Sequence, residues 1–312
     1  MQHIFEKANY NFVKWRWHAI AFSWIVVLAG VGVAYARGGV PMGIDFSGGT
    51  AVVMKFDQPT PVDRVRAALD PVSTEKVVQQ YGPPADNSVL IRMPMSSAVE
   101  SGASLDAGVR AITGALTAAN LKGTVISTDV VGPVIGRDLQ LKGIYATIAS
   151  LGGILLYIWM RFEWTFAVGA IVATFHDIIV TLAFLVFFNY DLSLNVIAAI
   201  LTITGYSVND TIVIFDRIRE NRRNKRRDNL EPVVNASVNQ TLSRTIITSG
   251  TTLLTVVSLY FFGGEVLKGF AFTMIVGIIT GTYSSMYIAA SIAIILSGKQ
   301  ASGGRPQARK AS

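Results

Sequence analysis

Two carboxylates and one guanidinium fall in or beside stretches that are otherwise apolar, where charge is costly and where ion and proton pathways keep theirs. Asp210 sits in the apolar run 192–215 with Tyr206, Ser207 and Asn209 around it. Asp216 marks the polar edge of that run, so Asp210 lies roughly 9 Å inside at 1.5 Å per residue. Asp177 sits beside His176 near the middle of the run 164–188, and Thr174, Asp177 and Thr181 line one helical face. Around the run 246–262, Thr241, Arg244, Thr248, Thr251 and Thr255 share a face, with Arg244 at its polar end. If these two last helices are antiparallel neighbours, Arg244 can reach inward to Asp210, which eases the burial of both charges. Two chemistries compete for that pair. One is a structural ion pair that fixes helix packing. The other is a proton or cation relay, in which local wetting drives the carboxylate between charged and neutral forms. In the relay reading, Asp177 is a further member beside Asp210 and Arg244, and Tyr206, Ser207, Asn209, Thr248, Thr251 and Thr174 are its supporting polar stripe. Asp177 has a simpler alternative as a hydrogen-bonding group between helices.

Other chemistry is excluded or unsupported. The chain has no cysteine, so disulfides, thiolate metal sites and cysteine nucleophiles are absent. The three histidines (His3, His18, His176) are too scattered for a histidine zinc site. No Walker, HExxH or GxSxG motif is present, so neither nucleotide hydrolysis nor proteolysis is supported and the chain reads as a non-enzyme. Residues 43–49 (GIDFSGG) lack the GK[ST] ending of a phosphate loop and read as a tight turn. Gly277 and Gly281 form GxxxG, a close-packing device, and Gly152-Gly153 is read the same way.

The elements that position these residues follow from hydropathy. The chain is 51% hydrophobic and 15% charged, against about 25% charged in average globular chains. Six runs are long enough to cross a hydrocarbon core: 18–36, 139–160, 164–188, 192–215, 246–262 and 270–296. Ala34-Tyr35-Ala36 resembles a signal-peptidase site. The first run is nevertheless long for a signal segment, and Trp15, Trp17 and Trp24 suit an interfacial belt, so it reads as an uncleaved anchor. Lysine and arginine set the orientation. They gather at Lys7, Lys14 and Arg16, at 217–227, and at Lys299, Arg305, Arg309 and Lys310, whereas 189–191 and 263–268 hold almost none. By the positive-inside rule both termini are cytoplasmic and residues 37–138 form a periplasmic domain. The net charge of +7 is therefore a topology signal rather than a nucleic-acid footprint. The divisions are a cytoplasmic N-terminus (1–17), the first helix (18–36), the outer domain (37–138), the remaining five helices (139–296) with a basic loop near 216–244, and a disordered tail (297–312). The dense charge run 217–227 reads as a solvated extension or as a docking face for a partner or anionic lipid. The outer domain reads β-α-β-β-α-β: strands at 50–56, 75–80, 87–93 and 124–131, and helices at 61–69 and 104–120, the second with a stripe of Leu105, Val109, Ile112 and Leu116. That order suggests a ferredoxin-like sandwich. The fold class is thus a six-helix membrane protein with an α+β outer domain. A polar stripe on the third to fifth helices looks like half of a symmetric transporter, which would leave the stripe exposed without a partner.

Five stretches carry a family resemblance: GIDFSGGT at 43–50, VGPVIGRDL at 131–139, HDIIVTL at 176–182, GYSVNDTIVIFDRIRENRR at 205–223 and SRTIITSGTTLL at 243–254. In this order, and over nearly the whole chain, they resemble the SecF family of bacterial protein-export membrane subunits. The resemblance implies pairing with SecD in a twelve-helix unit of the resistance-nodulation-division type. That unit would work in the inner membrane beside the SecYEG channel and the SecA motor, using the proton-motive force to draw exported, unfolded polypeptides outward. It implies protons as coupling ion and no other cofactor, with Asp210 as the proton-linked aspartate and Arg244 as its basic partner. The alternative is a proton-driven exporter of small molecules or lipids from the same superfamily, and a third reading is a scaffold that only stabilises the channel complex.

Overall fold

Long apolar runs separated by short polar breaks leave the backbone one economical option in lipid, which is to satisfy every hydrogen bond inside helices. The computed structural model describes residues 9–73, 76–93, 107–224 and 229–303. Six helices among them are long and apolar enough to cross a membrane. They are α1 (Arg16–Ala36), α5 (Pro133–Arg161), α6 (Trp164–Phe187), α7 (Leu194–Asn224), α8 (Leu230–Phe262) and a last span made of α9 (Glu265–Ser284), a π-helical turn (Ser285–Ala289) and α10 (Ala290–Gly303).

Four boundaries depart from the sequence reading. The fifth element begins at Leu230 rather than near 246, and the fourth runs on to Asn224, so most of the expected loop at 216–244 is helical. Its cause is an apolar face that continues beneath the charges: Val234, Val238 and Leu242 join Ile214, Phe215 and Ile218 in one buried cluster. α5 starts at Pro133, whose ring suits the first helical turn, so the outer domain ends with its last strand and not at 138. The terminal helix also continues through the first residues of the expected tail, to Gly303. Lys7, Lys225, Arg226, Arg227, Arg305, Arg309 and Lys310 lie outside the described residues.

Between α1 and α5 stand a one-turn helix α2 (Ile44–Ser47), strands β1 (Gly49–Phe56), β2 (Val77–Gln80), β3 (Ser88–Met93) and β4 (Gly123–Val131), and helices α3 (Val62–Ala68) and α4 (Ala107–Ala118). The sheet is antiparallel in the order β2-β3-β1-β4. Val52, Met54 and Phe56 alternate onto one face, where Ile91, Val65, Leu69, Ile112 and Leu116 close a core over them. Val109 packs against that core, and Leu105 lies outside the described residues.

The small domain is fastened to the turn between α6 and α7. The Gly43 N–H donates to the Leu192 carbonyl at 2.8 Å, and the Leu192 N–H returns to the Pro41 carbonyl at 2.8 Å. Asp45 accepts from the Leu194 N–H at 2.9 Å, capping the start of α7 with a carboxylate. Arg92 on β3 forms an ion pair with Asp191, and both side chains are largely buried. The glycine pair after α2 is required by geometry: Gly48 and Gly49 take φ of 69° and 129°, which L side chains rarely adopt.

Candidate functional site

The polar residues converge where α6, α7, α8 and the last span cross. GxxxG sets the approach of α9 to α7. A side chain at Gly277 would overlap Ile203, and a Cβ at Gly281 would lie 2.8 Å from the Cβ of Ser207. Gly152 and Gly153 do not act this way; a Cβ at either position meets nothing within 4 Å, because that face of α5 turns outward.

Asp177 is 1% exposed and held from three helices. One carboxylate oxygen accepts from Ser207 of α7 at 2.5 Å and from Ser284 of α9 at 2.8 Å. The other lies 3.0 Å from Nδ1 of its neighbour His176, whose buried Nε2 has no hydrogen-bond partner among the described residues. Asp210 is 3% exposed and less fully bonded. Its oxygen accepts from Ser249 of α8 at 3.2 Å, and Ser249 in turn accepts from Thr282 of α9 at 2.8 Å. Ser285, at the start of the π-helical turn, shares a 2.8 Å hydrogen bond with Thr211. Single π-helical turns inside α-helices recur at functional sites. Here the turn follows directly on Ser284, the Asp177 ligand.

Arg244 does not pair with Asp210: no ion pair between them within 4.0 Å occurs among the described residues. Asp210 bonds to Ser249, and five residues along a helix is a rotation of roughly 140°. Arg244 therefore leaves α8 on another face, exposed, in an open pocket with Asn209, Asp216, Glu220 and Gln240. The stripe threonines satisfy their donors locally. Thr174 donates to Ala170, Thr248 to Arg244 and Thr251 to Ile247, each to a carbonyl four residues back on its own helix. Tyr206 reaches Thr252 at 3.3 Å, and Asn209 is exposed.

Sequence reasoning missed Ser249, Thr282, Ser284, Ser285 and Thr211. The signal available was the run Thr282-Tyr283-Ser284-Ser285 inside an apolar helix, which the stripe argument assigned to no site because it stopped at the fifth helix. Among the described residues no group of three His, Asp or Glu gathers that could hold a metal ion. The arrangement can do one kind of chemistry well. A buried carboxylate, hydroxyl-linked across two helices and with no cation in ion-pairing contact among the described residues, can accept or release a proton and change how those helices fit.

Comparison with known proteins adds to this geometry. The family model described as protein export membrane protein SecD/SecF, C-terminal, matches residues 112–299, and the SecD/SecF GG motif matches residues 38–60. That second stretch contains Gly43, Asp45, Gly48 and Gly49. Proteins named protein translocase subunit SecF are similar over almost all of the chain. The one from Desulfurispirillum indicum is 42% identical, covering 91% of this chain and 90% of its own. The one from Escherichia coli O157:H7 is 38% identical, covering 93% and 89%. The crystal structure of SecDF, a translocon-associated membrane protein from Thermus thermophilus, superposes with a TM-score of 0.80 at 36% identity, covering 95% of this chain. The chain spans 39% of that longer protein. SecDF in its super-membrane-facing form gives a TM-score of 0.68 at 35% identity.

Proposed function

The chain belongs to the SecD/SecF family of protein export membrane proteins, and from that premise we propose that it couples the proton-motive force to protein export through Asp210. It is an accessory subunit of the Sec protein translocase rather than an enzyme, and a multi-pass protein of the inner membrane. In our reading both termini are cytoplasmic and the α+β domain is periplasmic, since the basic residues cluster at the other end of the bundle. The strand order β2-β3-β1-β4, with a helix after β1 and another after β3, supports a ferredoxin-like split β-α-β arrangement for that domain.

The observation that carries the relay is Asp210 itself, almost wholly buried yet bonded by one hydroxyl, with Arg244 near enough to act on it electrostatically but not in ion-pair contact. A charge crossing the membrane field gains about 2.3 kcal/mol per 100 mV, enough to bias a two-state helix packing. Arg244 then serves as the basic group at the mouth of the path, lining the exposed pocket beside Asn209. Asp177, by contrast, accepts hydroxyl hydrogen bonds from both α7 and α9 and so holds α6, α7 and α9 together.

Pairing with SecD has separate support. Thr202, Gly205 and Asn209 of α7 and Arg244, Thr251, Thr255 and Ser258 of α8 are all exposed, and a polar face of this length is not left to lipid. A second bundle covering it would make the twelve-helix unit that stands beside SecYEG and SecA and acts on emerging unfolded polypeptides. The test is export into membrane vesicles by the complex carrying Asp210→Asn. The expected result is loss of the proton-dependent stimulation with assembly intact. Undiminished stimulation would leave only a scaffold role.

A further inference from the structure

At the basic end of the bundle, the close of α5, the start of α6 and the close of α7 surround a cavity of about 470 Å³. Its floor is aromatic: Phe162, Phe166 and Phe215 pack edge to face and are buried. Its rim is four arginines, Arg161, Arg219, Arg222 and Arg223, with Glu163 the acidic residue among them. Two of the four are answered by carboxylates. Arg161 donates to both oxygens of Asp216 at 3.0 and 3.1 Å, and Arg222 reaches Glu163 at 3.3 Å. Arg219 and Arg223 have no acidic partner among the described residues, so two of the four guanidiniums are left without a carboxylate.

We propose that this pocket is a binding site for an anionic phospholipid, with its phosphate on Arg219 and Arg223 and its acyl chains along the end of α5. Guanidinium forks match phosphate oxygens in charge and geometry. The site lies where three apolar helices emerge into a polar segment, the depth of a lipid headgroup. Trp159 and Trp164, both exposed on either side of the α5–α6 turn, mark that depth as interfacial aromatics do. Leu156 and Met160, exposed in the last turns of α5, offer a chain-binding face beside the arginines. A soluble anion would use the rim alone. The aromatic floor and the apolar flank favour the lipid. Neither proton transfer at Asp210 nor pairing through α7 and α8 accounts for this pocket, which is lined from α5, α6 and the end of α7 and by no residue of α8.

The experiment uses the full-length protein purified with its partner and reconstituted in phosphatidylcholine vesicles containing a trace of photoactivatable phosphatidylglycerol. Labelling is expected in peptides covering 156–166 and 215–223. A basic residue near an anionic headgroup is worth about five-fold in affinity, so Arg219→Gln/Arg223→Gln should weaken labelling roughly twenty-five-fold, while Arg219→Lys/Arg223→Lys, which keeps the charge but loses the fork, should fall between that and the native protein. Both side chains are exposed, so thermal unfolding of the complex should not move, and Lys142→Gln on the far part of α5 should leave labelling unchanged. Equal labelling by a phosphatidylcholine probe, or labelling that survives the double glutamine variant, would overturn the proposal. Displacement by millimolar glycerophosphate would also overturn it, in favour of a soluble phosphate ligand.

Discussion

Removing Asp177 should loosen the bundle, while neutralising it should not. In Asp177→Ala the Ser207 hydroxyl loses its acceptor at 2.5 Å and Ser284 loses its acceptor at 2.8 Å. Ser284 has a fallback in the Gly281 carbonyl at 3.2 Å, and no other acceptor for Ser207 occurs among the described residues. Hydrogen bonds between membrane helices average about 0.6 kcal/mol and reach about 1.7. A buried donor left unpaired costs about 1–3 kcal/mol. Asp177→Ala should therefore lose about 1–3 kcal/mol, most of it from Ser207. Asp177→Asn keeps an oxygen that accepts from both serines, so its loss should stay below about 1 kcal/mol. Asp210→Asn also keeps its acceptor for Ser249 and should be equally mild. The assay is paired: unfolding of the purified complex in a denaturing detergent titration, and export stimulation with and without an uncoupler. Asp177→Asn should unfold and stimulate almost normally, whereas Asp210→Asn should unfold normally and lose all uncoupler-sensitive stimulation. If Asp177→Asn loses stimulation with normal unfolding, Asp177 is a proton-carrying group and the division of labour argued above is wrong.

Three further outcomes follow from named contacts. Gly281→Val should cost about 1–3 kcal/mol by overpacking against Ser207, whereas Gly152→Ala should be neutral or slightly stabilising, both read in the same unfolding titration. Arg92→Ala strands Asp191 and, since a buried pair costs up to about 3–5 kcal/mol to break, should raise amide exchange across 41–45 and the start of α7 at least ten-fold; unchanged exchange would show the clamp to be dispensable. The native chain has no cysteine, so Thr251→Cys is a unique thiol, expected to cross-link to SecD in native membranes, while Met160→Cys on the lipid face should not.

The six spans were legible because their apolar length leaves no other solution in lipid, and the order of strands and helices in the outer domain followed from alternation and periodicity. Their ends were less so. At 230–245 the polar residues outnumber the apolar ones, and the four-residue rhythm of Val234, Val238 and Leu242 decides the helix only once Ile214 and Phe215 are there to receive it. The site shows the same split. Asp210 and Asp177 stand out because a charge in an apolar run needs a reason. The direct Arg244 ion pair is absent because depth was judged and rotation was not: an arginine can share a level with a carboxylate, and act on it electrostatically, while its position round the helix keeps it out of ion-pair contact. Ser249 is invisible for another reason: a single hydroxyl in a membrane helix is cheap when it bonds its own backbone, so only the partner across the helix pair marks it out.

On the proposed relay, the clamp says how a proton could be felt outside the membrane. Leu194 and Asp210 are sixteen residues apart on one unbroken helix, roughly 24 Å at 1.5 Å per residue. The same helix therefore carries the titrating carboxylate at one level and the Asp45 cap at its other end. A packed helix transmits tilt and translation far better than it stretches. Any change in how α7 sits against Ser249 and Ser207 must then appear at Leu194, where Asp45 and Gly43 grip the chain and Arg92 grips Asp191. The outer domain is thus tied to three places, its two flanking helices and the α6–α7 turn. Motion of α7 against α1 and α5 would shear those ties and turn the domain. The conformationally special glycines at 48 and 49 stand between this grip and the sheet. Their positive φ values fix the angle at which α2 hands over to β1, so the motif that the family shares is the joint through which such a turn would pass.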